Sequence, residues 1–536
     1  MIKLGRILLL VVFCASLPAE LFGLAKEYRY DLVVYGSTPA GIMAAVAASR
    51  AGLKVAVVDP GRHVGGMVAG GLSYTDLGNV NAIGGLAREF FQRVGQHYGE
   101  TVEYAFEPHV ATQVFDDMLR QAKVAVFPSS RLLQTDGVRK SGTRITAIVT
   151  ENGAVFEATE YIDASYEGDL MVDSGVSNTW GRESAAEYGE SKAGVIPSQR
   201  PDHQFDMWVS PYLADGSLLP GVSSSPKGEY GQGDKKIPAF NYRLCFTADK
   251  ADQVPYPRPA GYNPKQYELL ARYLQGLADV LGHSPRITDV MMMESLKGNK
   301  FDINNHGGFS TDDIGTNWDY PTANYQRRLQ IADETRRYDE GFFYFLAHDP
   351  RVPRALQDEV NRYGLAKDEF TDTENWPWQL YVREDRRMLG EYVMTQHDIL
   401  EDTKKPDSIG LGSYPMDSHN VQRIPTPNGG VENEGDMYVL TKRYEIPPYE
   451  IPYRSIVPKA SEAANLLVPV CLSGSHVSYG TMRTEPVYMI LGHAAGVAAA
   501  IAAREHVAVQ VVPVAELQKT LTAEHAILHW ANSASR

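Results

Sequence analysis

Hydrophobic positions near the start of the chain form two short apolar runs separated by a longer alanine-rich run. Residues 30–35 (YDLVVY) and 54–58 (KVAVV) have the length and composition of buried β-strands, whereas residues 40–51 are predicted to form a helix. A strand, a helix and a second strand in this order form a βαβ unit with a right-handed crossover. The pattern therefore predicts a parallel sheet at the start of the fold.

The same analysis predicts further elements on both sides of the chain's centre. Asn152-Gly153 separates two apolar runs at 145–150 and 154–162 and is a typical hairpin turn. Near the C-terminus, residues 466–470 are a predicted strand and residues 485–504 a predicted Ala/Gly-rich helix, which we interpret as a return to the first sheet. The other predicted elements are helices at 85–98 and 110–121 and a third strand at 124–127.

The middle of the chain differs in composition from both ends. Residues 181–380 are richer in Tyr, Trp, Pro, Asn and His and contain fewer alanine-rich helical runs. We therefore expect an α/β protein in which a Rossmann-type domain is built from residues 27–180 and 381–536. A mixed α+β substrate domain, residues 181–380, is then inserted into it.

The first residues have the pattern of a secretory signal peptide. Lys3 and Arg6 precede an apolar run at 7–17, and Gly23-Leu24-Ala25 places small residues where a signal peptidase reads them. We expect residues 1–25 to be removed and the protein to be exported, either to the periplasm or as a secreted protein. The apolar run is too short for a spanning helix, so no stable membrane span is expected after processing, although an uncleaved anchor is the alternative.

Composition excludes some partners. The formal net charge of -15 gives no electrostatic basis for binding nucleic acid, which needs clustered Lys and Arg. No CxxC or HExxH motif is present, so no metal site is expected. Cys245 and Cys471 could pair in an oxidising compartment, and the sequence leaves their pairing open.

A glycine-rich turn follows the first predicted strand. Gly36 permits the tight turn and Gly41 allows close packing of helix on strand, while the free N–H groups at the helix N-terminus bind a pyrophosphate. Asp59 follows at the end of the second predicted strand, where a carboxylate accepts hydrogen bonds from a ribose diol. The residues of the turn are Gly36, Ser37, Thr38, Pro39, Ala40 and Gly41.

The segment after Asp59 favours FAD over NAD. It resembles the paired-glycine segment of glutathione-reductase-like flavoproteins, in which glycines bring backbone close to the pyrophosphate and the flavin. The predicted fold is thus an α/β protein with a Rossmann-type FAD-binding domain. Besides the glycine turn and Asp59, the predicted cofactor-binding residues are Pro60, Arg62, Gly65, Gly66, Met67, Val126, Ala164, Ser165, Ser475 and Gly480.

Blocks along nearly the whole mature chain resemble the bacterial FAD-dependent oxidoreductase family, many of whose members are secreted and some of which are labelled xanthan lyase. The resemblance implies the fold and FAD, and it leaves the substrate open. The blocks are the Gly36 turn, 65–67, 106–110, 163–170, 181–184, 241–245, 302–305, 382–387, 451–455 and 471–486.

Flavin-dependent oxidation needs a base for the substrate proton and positive charge near the flavin. His476 is the first candidate base and Arg483 the first candidate charge; a packed loop histidine and a structural ion pair are the alternatives. Arg383 and Arg387 are four residues apart on a predicted helix and therefore share a face. We expect them either to bind the substrate or to form a structural salt-bridge network. The remaining candidates are His419 and His306 as residues lining the pocket and His63 as a covalent flavin attachment point.

The expected reaction is hydride transfer to FAD from a small organic substrate, an alcohol, an amine or a sugar-like compound. The electron acceptor stays open between oxygen, a quinone and a cytochrome. Two alternatives remain: an FAD-assisted lyase or isomerase without net oxidation, and a non-catalytic flavin-binding surface protein. Anaerobic mixing with substrate distinguishes the expected oxidation from the lyase or isomerase reaction, because only net oxidation leaves the flavin bleached.

The first prediction concerns processing. N-terminal sequencing of the native protein is expected to start at Lys26, because the basic, apolar and small-residue segments end at Ala25. A soluble protein that retains Met1 in the cytoplasm would contradict it.

Overall fold

The structure is a computed structural model that describes residues 26–197, 201–439 and 446–530. The predicted signal peptide, residues 1–25, lies outside the described residues. The strands are β1 Glu27–Tyr35, β2 Val55–Val58, β3 Ala125–Phe127, β4 Val138–Ser141, β5 Arg144–Val149, β6 Val155–Asp163, β7 Asn178–Thr179, β8 Leu244–Thr247, β9 Gln253–Val254, β10 Met291–Ser295, β11 Lys300–Asn305, β12 Gly364–Ala366, β13 Arg387–Met388, β14 Ser408–Gly412, β15 Met416–Asp417, β16 Gln422–Pro425, β17 Val431–Glu434, β18 Tyr438–Val439, β19 Tyr449–Pro452 and β20 Leu466–Leu467.

The α-helices are distributed along the whole described chain. They are α1 Pro39–Arg50, α2 Gly66–Ala69, α3 Gly85–His97, α4 Pro108–Gln121, α5 Asp169–Asp173, α6 Ala185–Tyr188, α7 Glu268–Leu281, α8 Tyr325–His348, α9 Arg354–Val360, α10 Gln396–Leu400, α11 His476–Met482, α12 Glu485–Glu505 and α13 Val514–Ala523.

A seven-stranded sheet is the centre of the nucleotide-binding part. Its order is β3-β2-β1-β6-β5-β4, with β20 also paired to β6. β1 runs parallel to both β2 and β6, and β5 turns back antiparallel on β6 through the Asn152-Gly153 turn. The C-terminal part of β1 and all of β2 are buried, as expected for a parallel sheet covered on both faces. The predicted βαβ unit, the hairpin and the late strand are confirmed.

The last long helix lies directly on the first. A methyl group on Gly492 would overlap the carbonyl oxygen of Ala40, and one on Gly496 would overlap that of Ala44, so the two backbones touch. α12 is long and apolar enough to cross a membrane, and its apolar 18-residue stretch is entirely buried here, as the core helix of a folded domain is. This contact returns the C-terminal segment to the glycine turn.

The middle of the chain forms its own antiparallel sheet of five strands, in the order β10-β11-β8-β12-β9. Helices α7, α8 and α9 come from the same stretch of chain. Beyond it, residues 408–439 and 446–452 form the two-stranded ribbons β14-β19, β15-β18 and β16-β17, and β14 packs against α12. Residues from both regions share one hydrophobic cluster, which extends from Leu32 to Leu528.

The predicted helix around Arg383, Arg386 and Arg387 is wrong. Residues 382–386 have no regular secondary structure, and Arg387 begins β13, which pairs with β7. Each arginine ion-pairs with a carboxylate from another part of the chain: Asp312, Asp169 and Glu183, respectively. These pairs tie the three arginines to different segments of the chain, which outweighs the i,i+4 spacing that suggested a helix.

Cys245 and Cys471 are not bonded to each other. Both thiols are free and buried. Cys245 packs with Leu296 and Ala366, and Cys471 packs under the first sheet, so the two lie in separate hydrophobic clusters. Burial raises the pKa of both thiols well above the usual range, which keeps them protonated.

We predict that Gly496→Ala lowers the free energy of unfolding by about 1–3 kcal/mol, because the added methyl group overpacks the α1–α12 contact. Gly276→Ala in α7 is the matched control, since its methyl group meets only the flexible side chain of Met207 at close range. Urea denaturation of both variants is the measurement. Equal midpoints for Gly496→Ala and the wild type would contradict the close contact.

Candidate functional site

The glycine turn joins β1 to α1 and packs against the end of β6. Gly36 has φ +97°, and a methyl group there would lie 2.7 Å from the backbone nitrogen of Ser165. Thr38 caps α1: its hydroxyl accepts from the Gly41 N–H and donates to the Ala164 carbonyl oxygen at 2.7 Å. The N-terminus of α1 is therefore fixed at the turn, in the position that binds a pyrophosphate.

Asp59 fixes the turn from the end of β2. Its carboxylate accepts hydrogen bonds from the N–H groups of Ser37 and Gly61, the latter at 2.7 Å. Burial raises the pKa of Asp59, and the bonds from Ser37 and Gly61 lower it. The half-buried carboxylate thus stands beside the turn, where it can accept from a ribose hydroxyl.

A buried carboxyl also holds the neighbouring loop. Asp163 ends β6 and accepts from the Ser165 N–H at 3.0 Å, the Ser165 hydroxyl at 2.6 Å and the Met171 N–H at 2.7 Å. Burial raises its pKa to about 6, and the bonds from Ser165 and Met171 lower it. This network sets Ala164 and Ser165 against Gly36.

A cavity of about 400 Å³ opens above the turn. One wall is the segment 376–379, which approaches from the middle of the chain, and Arg336 of α8 adds a positive charge. His63 stacks on Trp378, and its Nε2 atom lies 2.8 Å from Oδ2 of Asp372. The predicted cofactor residues that line this cavity are Gly36, Ser37, Thr38, Asp59, Pro60, Arg62, Gly66 and Ser165.

A second cavity, of about 340 Å³, is lined by three parts of the chain: residues 74–77, residues between 203 and 304, and residues between 381 and 438. It is called the substrate chamber below. It is rich in tyrosine and carboxylate side chains, with Arg243 and two histidines on its wall. Arg243 ion-pairs with the buried Asp302 through its Nε atom at 2.9 Å. The lining residues are Tyr74, Thr75, Asp76, Leu77, His203, Arg243, Met292, Glu294, Asn304, Tyr381, Tyr414, Asp417, His419 and Tyr438.

A narrow cavity lies beside both. It contains Met67, Glu485, Arg383 and Arg483, shares Tyr166 with the first cavity, and shares Thr75, Asp76 and Tyr381 with the second. The three cavities follow one another from the ribose-binding position at Asp59 to the tyrosine-rich chamber. The narrow cavity holds about 10 Å³, so it links the two larger cavities through shared side chains rather than through open space.

Arg483 sits where α11 ends and α12 begins. Its guanidinium donates to the Asp417 carbonyl oxygen at 3.2 Å and to the Tyr381 hydroxyl at 3.1 Å. Arg383 ion-pairs with Asp312 at 2.8 Å and lies over the Tyr381 ring, 4.7 Å from its centroid. The structure therefore brings these two predicted arginines together on one tyrosine.

His419 lines the substrate chamber and is oriented by a carboxylate. Its Nδ1 atom lies 3.0 Å from Oδ2 of Asp312. The other carboxylate oxygen of Asp312, Oδ1, ion-pairs with Arg383. Burial raises the pKa of Asp312, and Arg383 lowers it. His203 packs beside His419, with ring centroids 5.5 Å apart, and its Nδ1 atom lies 2.9 Å from Asp436.

His476 occupies a different environment. It lines none of these cavities; its Nδ1 atom lies 2.8 Å from Glu384 and its Nε2 atom 3.3 Å from the Ser418 hydroxyl. Burial and the guanidinium of Arg387 lower the pKa of His476 to about 3, so the ring is neutral at pH 7. Arg387 is fully buried between Glu183 and Glu384. The geometry of both residues matches the structural alternative, and their catalytic roles stay predictions.

The other predicted residues serve the packing around the site. Pro39, Ala40 and Gly41 form the first turn of α1, Gly65 precedes α2, and Val126 packs from β3 against the core. Ser475 caps α11 and donates to Glu190 at 2.6 Å, while Gly480 gives Asp417 room to approach. His306 is half-buried and does not line the substrate chamber.

Sequence reasoning missed Tyr166, Glu485, His203 and Asp312. Tyr166 closely follows Ala164 in the chain, and its hydroxyl accepts from the Met67 N–H at 2.8 Å. The Tyr166 hydroxyl donates to Glu485 at 2.7 Å. Glu485 follows Arg483 by two residues, so the sequence suggests for it only the structural ion pair that is the alternative role of Arg483. No sequence pattern pairs Asp312 with His419, because the two lie far apart along the chain.

The chain is similar to known flavin-dependent proteins. A family model described as FAD dependent oxidoreductase matches residues 31–521. The menaquinone reductase of Mycolicibacterium smegmatis is 27% identical over 216 residues, which are 36% of this chain and 51% of the relative. The chain thus spans about half the length of this curated relative. The match to the family model confirms the predicted α/β fold and FAD as the cofactor.

Two solved structures are also similar. The anhydrotetracycline hydroxylase OxyS of Streptomyces rimosus is 11% identical and covers 53% of this chain and 46% of its own, with a TM-score of 0.26. THI4 of Thermovibrio ammonificans is 17% identical and covers 29% of this chain and 66% of its own, with a TM-score of 0.21.

We predict that the purified protein is yellow and releases FAD on denaturation, and that Asp59→Ala weakens FAD binding by about 1–3 kcal/mol through loss of a paired polar contact. Asp215→Ala, which removes an exposed carboxylate that also bonds its own turn, is the control. FAD titration of apoprotein followed by flavin fluorescence is the measurement. Colourless protein that takes up no FAD would refute the assignment of this site.

Proposed function

Since this chain belongs to the FAD-dependent oxidoreductase family, we propose that it oxidises a small organic substrate by hydride transfer from a C–H bond to FAD. The observation that carries this proposal is the orientation of His419 by Asp312 on the wall of a chamber that follows the FAD cavity. When bound, FAD supplies the electron acceptor for the hydride. The chain's own residues bind the substrate, remove its proton and exclude water.

In this proposal, the first half of the chain holds the cofactor. The α1 N-terminus and Arg62 face the pyrophosphate position, and Asp59 faces the ribose position. Positions 36 and 66 require glycine, since a methyl group would strike Ser165 at the first position and Tyr166 at the second. These two glycines therefore leave the backbone open to a close approach by the pyrophosphate.

His419 acts as the base in this proposal. A carboxylate bound to Nδ1 holds the ring in one orientation and stabilises the imidazolium that forms when the other nitrogen takes a proton. Asp312 in turn is held by Arg383, which prevents the carboxylate from turning away. Arg483, beside the N-terminus of α12, supplies positive charge for the electron-rich reduced cofactor.

A polyhydroxy, sugar-like compound suits the chamber best. Tyrosine rings offer flat apolar faces, and Asp76, Glu294 and Asn304 offer groups that bond hydroxyls. Arg243 is neutralised by Asp302, so the wall does not select a strongly anionic substrate. An FAD-assisted lyase would use the same chamber, and it is distinguished by product formation without flavin bleaching.

The electron acceptor and the location are part of the same proposal. The named activity of the mycobacterial relative makes a menaquinone analogue the first acceptor to test, ahead of oxygen and a cytochrome. We also propose that the protein works outside the cytoplasm, on the signal-peptide pattern of residues 1–25. FAD binding would then follow export and accompany folding.

We predict that His419→Ala retains FAD and slows flavin reduction by roughly 100- to 10,000-fold, the usual contribution of a positioned base. Substrates are first found by anaerobic flavin bleaching against sugars, amines and hydroxy acids, and stopped-flow absorbance then gives the rate.

The comparison variant is His476→Ala. If His476 is structural, this variant loses thermal stability or FAD content, while the FAD-loaded fraction is reduced at nearly the wild-type rate. A slow His476→Ala at full FAD occupancy, together with a fast His419→Ala, would reverse the assignment of the base.

A further inference from the structure

Glu485 is the first residue of α12, and the residue is 2% exposed. One oxygen, Oε1, accepts a hydrogen bond from the Tyr166 hydroxyl at 2.7 Å, and that hydroxyl accepts from the Met67 N–H. The other oxygen, Oε2, has no hydrogen-bond partner among the described residues. Because a buried polar atom without a partner is costly, this oxygen points to a ligand group that the protein itself does not provide.

The position of Glu485 identifies that ligand. Glu485 lies in the narrow cavity that shares Tyr166 with the FAD cavity and shares Tyr381 with the substrate chamber. A cofactor whose pyrophosphate lies on the glycine turn and whose flavin extends towards the chamber would bring the ring to Tyr166 and Glu485. Side chains must move apart there to admit the ring, because the narrow cavity itself holds about 10 Å³. Met67, whose N–H is bound to the Tyr166 hydroxyl, lines the same narrow cavity as Glu485.

Among the described residues, no cation neutralises Glu485. Arg483 directs its guanidinium to Asp417 and Tyr381, and Arg383 directs its own to Asp312. The α12 N-terminus favours a charged carboxylate, but burial opposes it more strongly. Burial raises the pKa of Glu485 to about 8, and the bond from Tyr166 lowers it. The ionisable and charged groups that face the same cavity are Asp76, Tyr166, Tyr381, Arg383, Arg483 and Tyr488.

We propose that the neutral carboxyl group of Glu485 donates a hydrogen bond from Oε2 to the flavin ring of FAD and thereby raises the flavin's reduction potential. The inference rests on the proposed function only in that FAD must be bound. Reduction increases the electron density of the ring, so a donor stabilises the reduced form, whereas an ionised carboxylate destabilises it. Deprotonation of Glu485 therefore lowers the potential.

The test is the flavin midpoint potential of FAD-loaded protein between pH 6 and 9.5. In the wild type, the potential should fall more steeply from about pH 8, where reduction begins to require an extra proton on Glu485. Glu485→Gln should keep the potential at pH 7 close to the wild-type value and should lose the steeper segment, since an amide donates but does not ionise. Burial keeps the pKa of Tyr166 and Tyr488 well above the usual tyrosine range, so neither titrates in this window.

Two further variants sharpen the result. Tyr166→Phe removes the hydrogen bond to Oε1, so the steeper segment should begin at a higher pH. Glu160→Gln is the matched control: Glu160 is also buried, its pKa is raised to about 7 by burial, and it pairs with Arg144 away from all three cavities. The Glu160→Gln curve should coincide with that of the wild type.

Coinciding curves for the wild type and Glu485→Gln, both carrying FAD, would overturn the role of Glu485 and leave the proposed oxidation intact. Failure to bind FAD at all would refute the proposed function first. Should Glu485→Gln not fold, the wild-type and Tyr166→Phe curves alone decide: an unchanged onset of the steeper segment, or no steeper segment, overturns the proposal.

Discussion

Backbone contact between α1 and α12 is the constraint on which the rest of the structure depends. Gly492 and Gly496 let α12 lie against the carbonyl oxygens of Ala40 and Ala44, with no side chain between the helices at these points. The contact carries the residues before α12 to the same end of the sheet as the glycine turn. Without it, Arg483 and Glu485 would not reach the cofactor, because they and the glycine turn come from opposite ends of the chain.

Buried charge organises the space between the sheets. Arg383, Asp312 and His419 form one network at the chamber wall. Arg387, Glu183, Glu384 and His476 form another, which lines none of the three cavities. Breaking a buried pair strands a charge and costs several kcal/mol, so such pairs fix side-chain positions strongly. The first network leaves His419 in contact with the chamber. In the second, Glu384 contacts Nδ1 of His476, and Ser418 outside the network contacts Nε2, which suits support of the α11 loop.

The site combines residues from chain segments with different tasks. The segment from β1 to α5 supplies most of a rigid nucleotide cradle, the middle sheet supplies Arg243 and Asn304, and the ribbons that begin with β14 supply Asp417 and His419. The cofactor site and the chamber wall are thus built by different parts of the chain. The wall can therefore change to suit another substrate while the cofactor site stays the same.

The sequence by itself determined the nucleotide-binding half. Strand and helix periodicity, the Gly36 turn and Asp59 are local patterns, and a βαβ unit has one favoured handedness, so neighbouring residues along the chain suffice to place them. The same holds for the hairpin at Asn152-Gly153 and for α12. Each of these features depends on residues close together in the chain or on a repeating apolar pattern.

Only the tertiary structure decided which polar side chains meet. Arg383 and Arg387 looked like one helix face, yet Asp312 and Glu183, from distant segments of the chain, draw them to different networks. His476 and His419 were both plausible bases in the sequence, and burial between Glu384 and Ser418 separates them. Burial of Glu485, and the absence of a hydrogen-bond partner for its Oε2 atom among the described residues, are visible only in the folded structure. Desolvation and long-range pairing depend on the packed fold, and no local pattern encodes them.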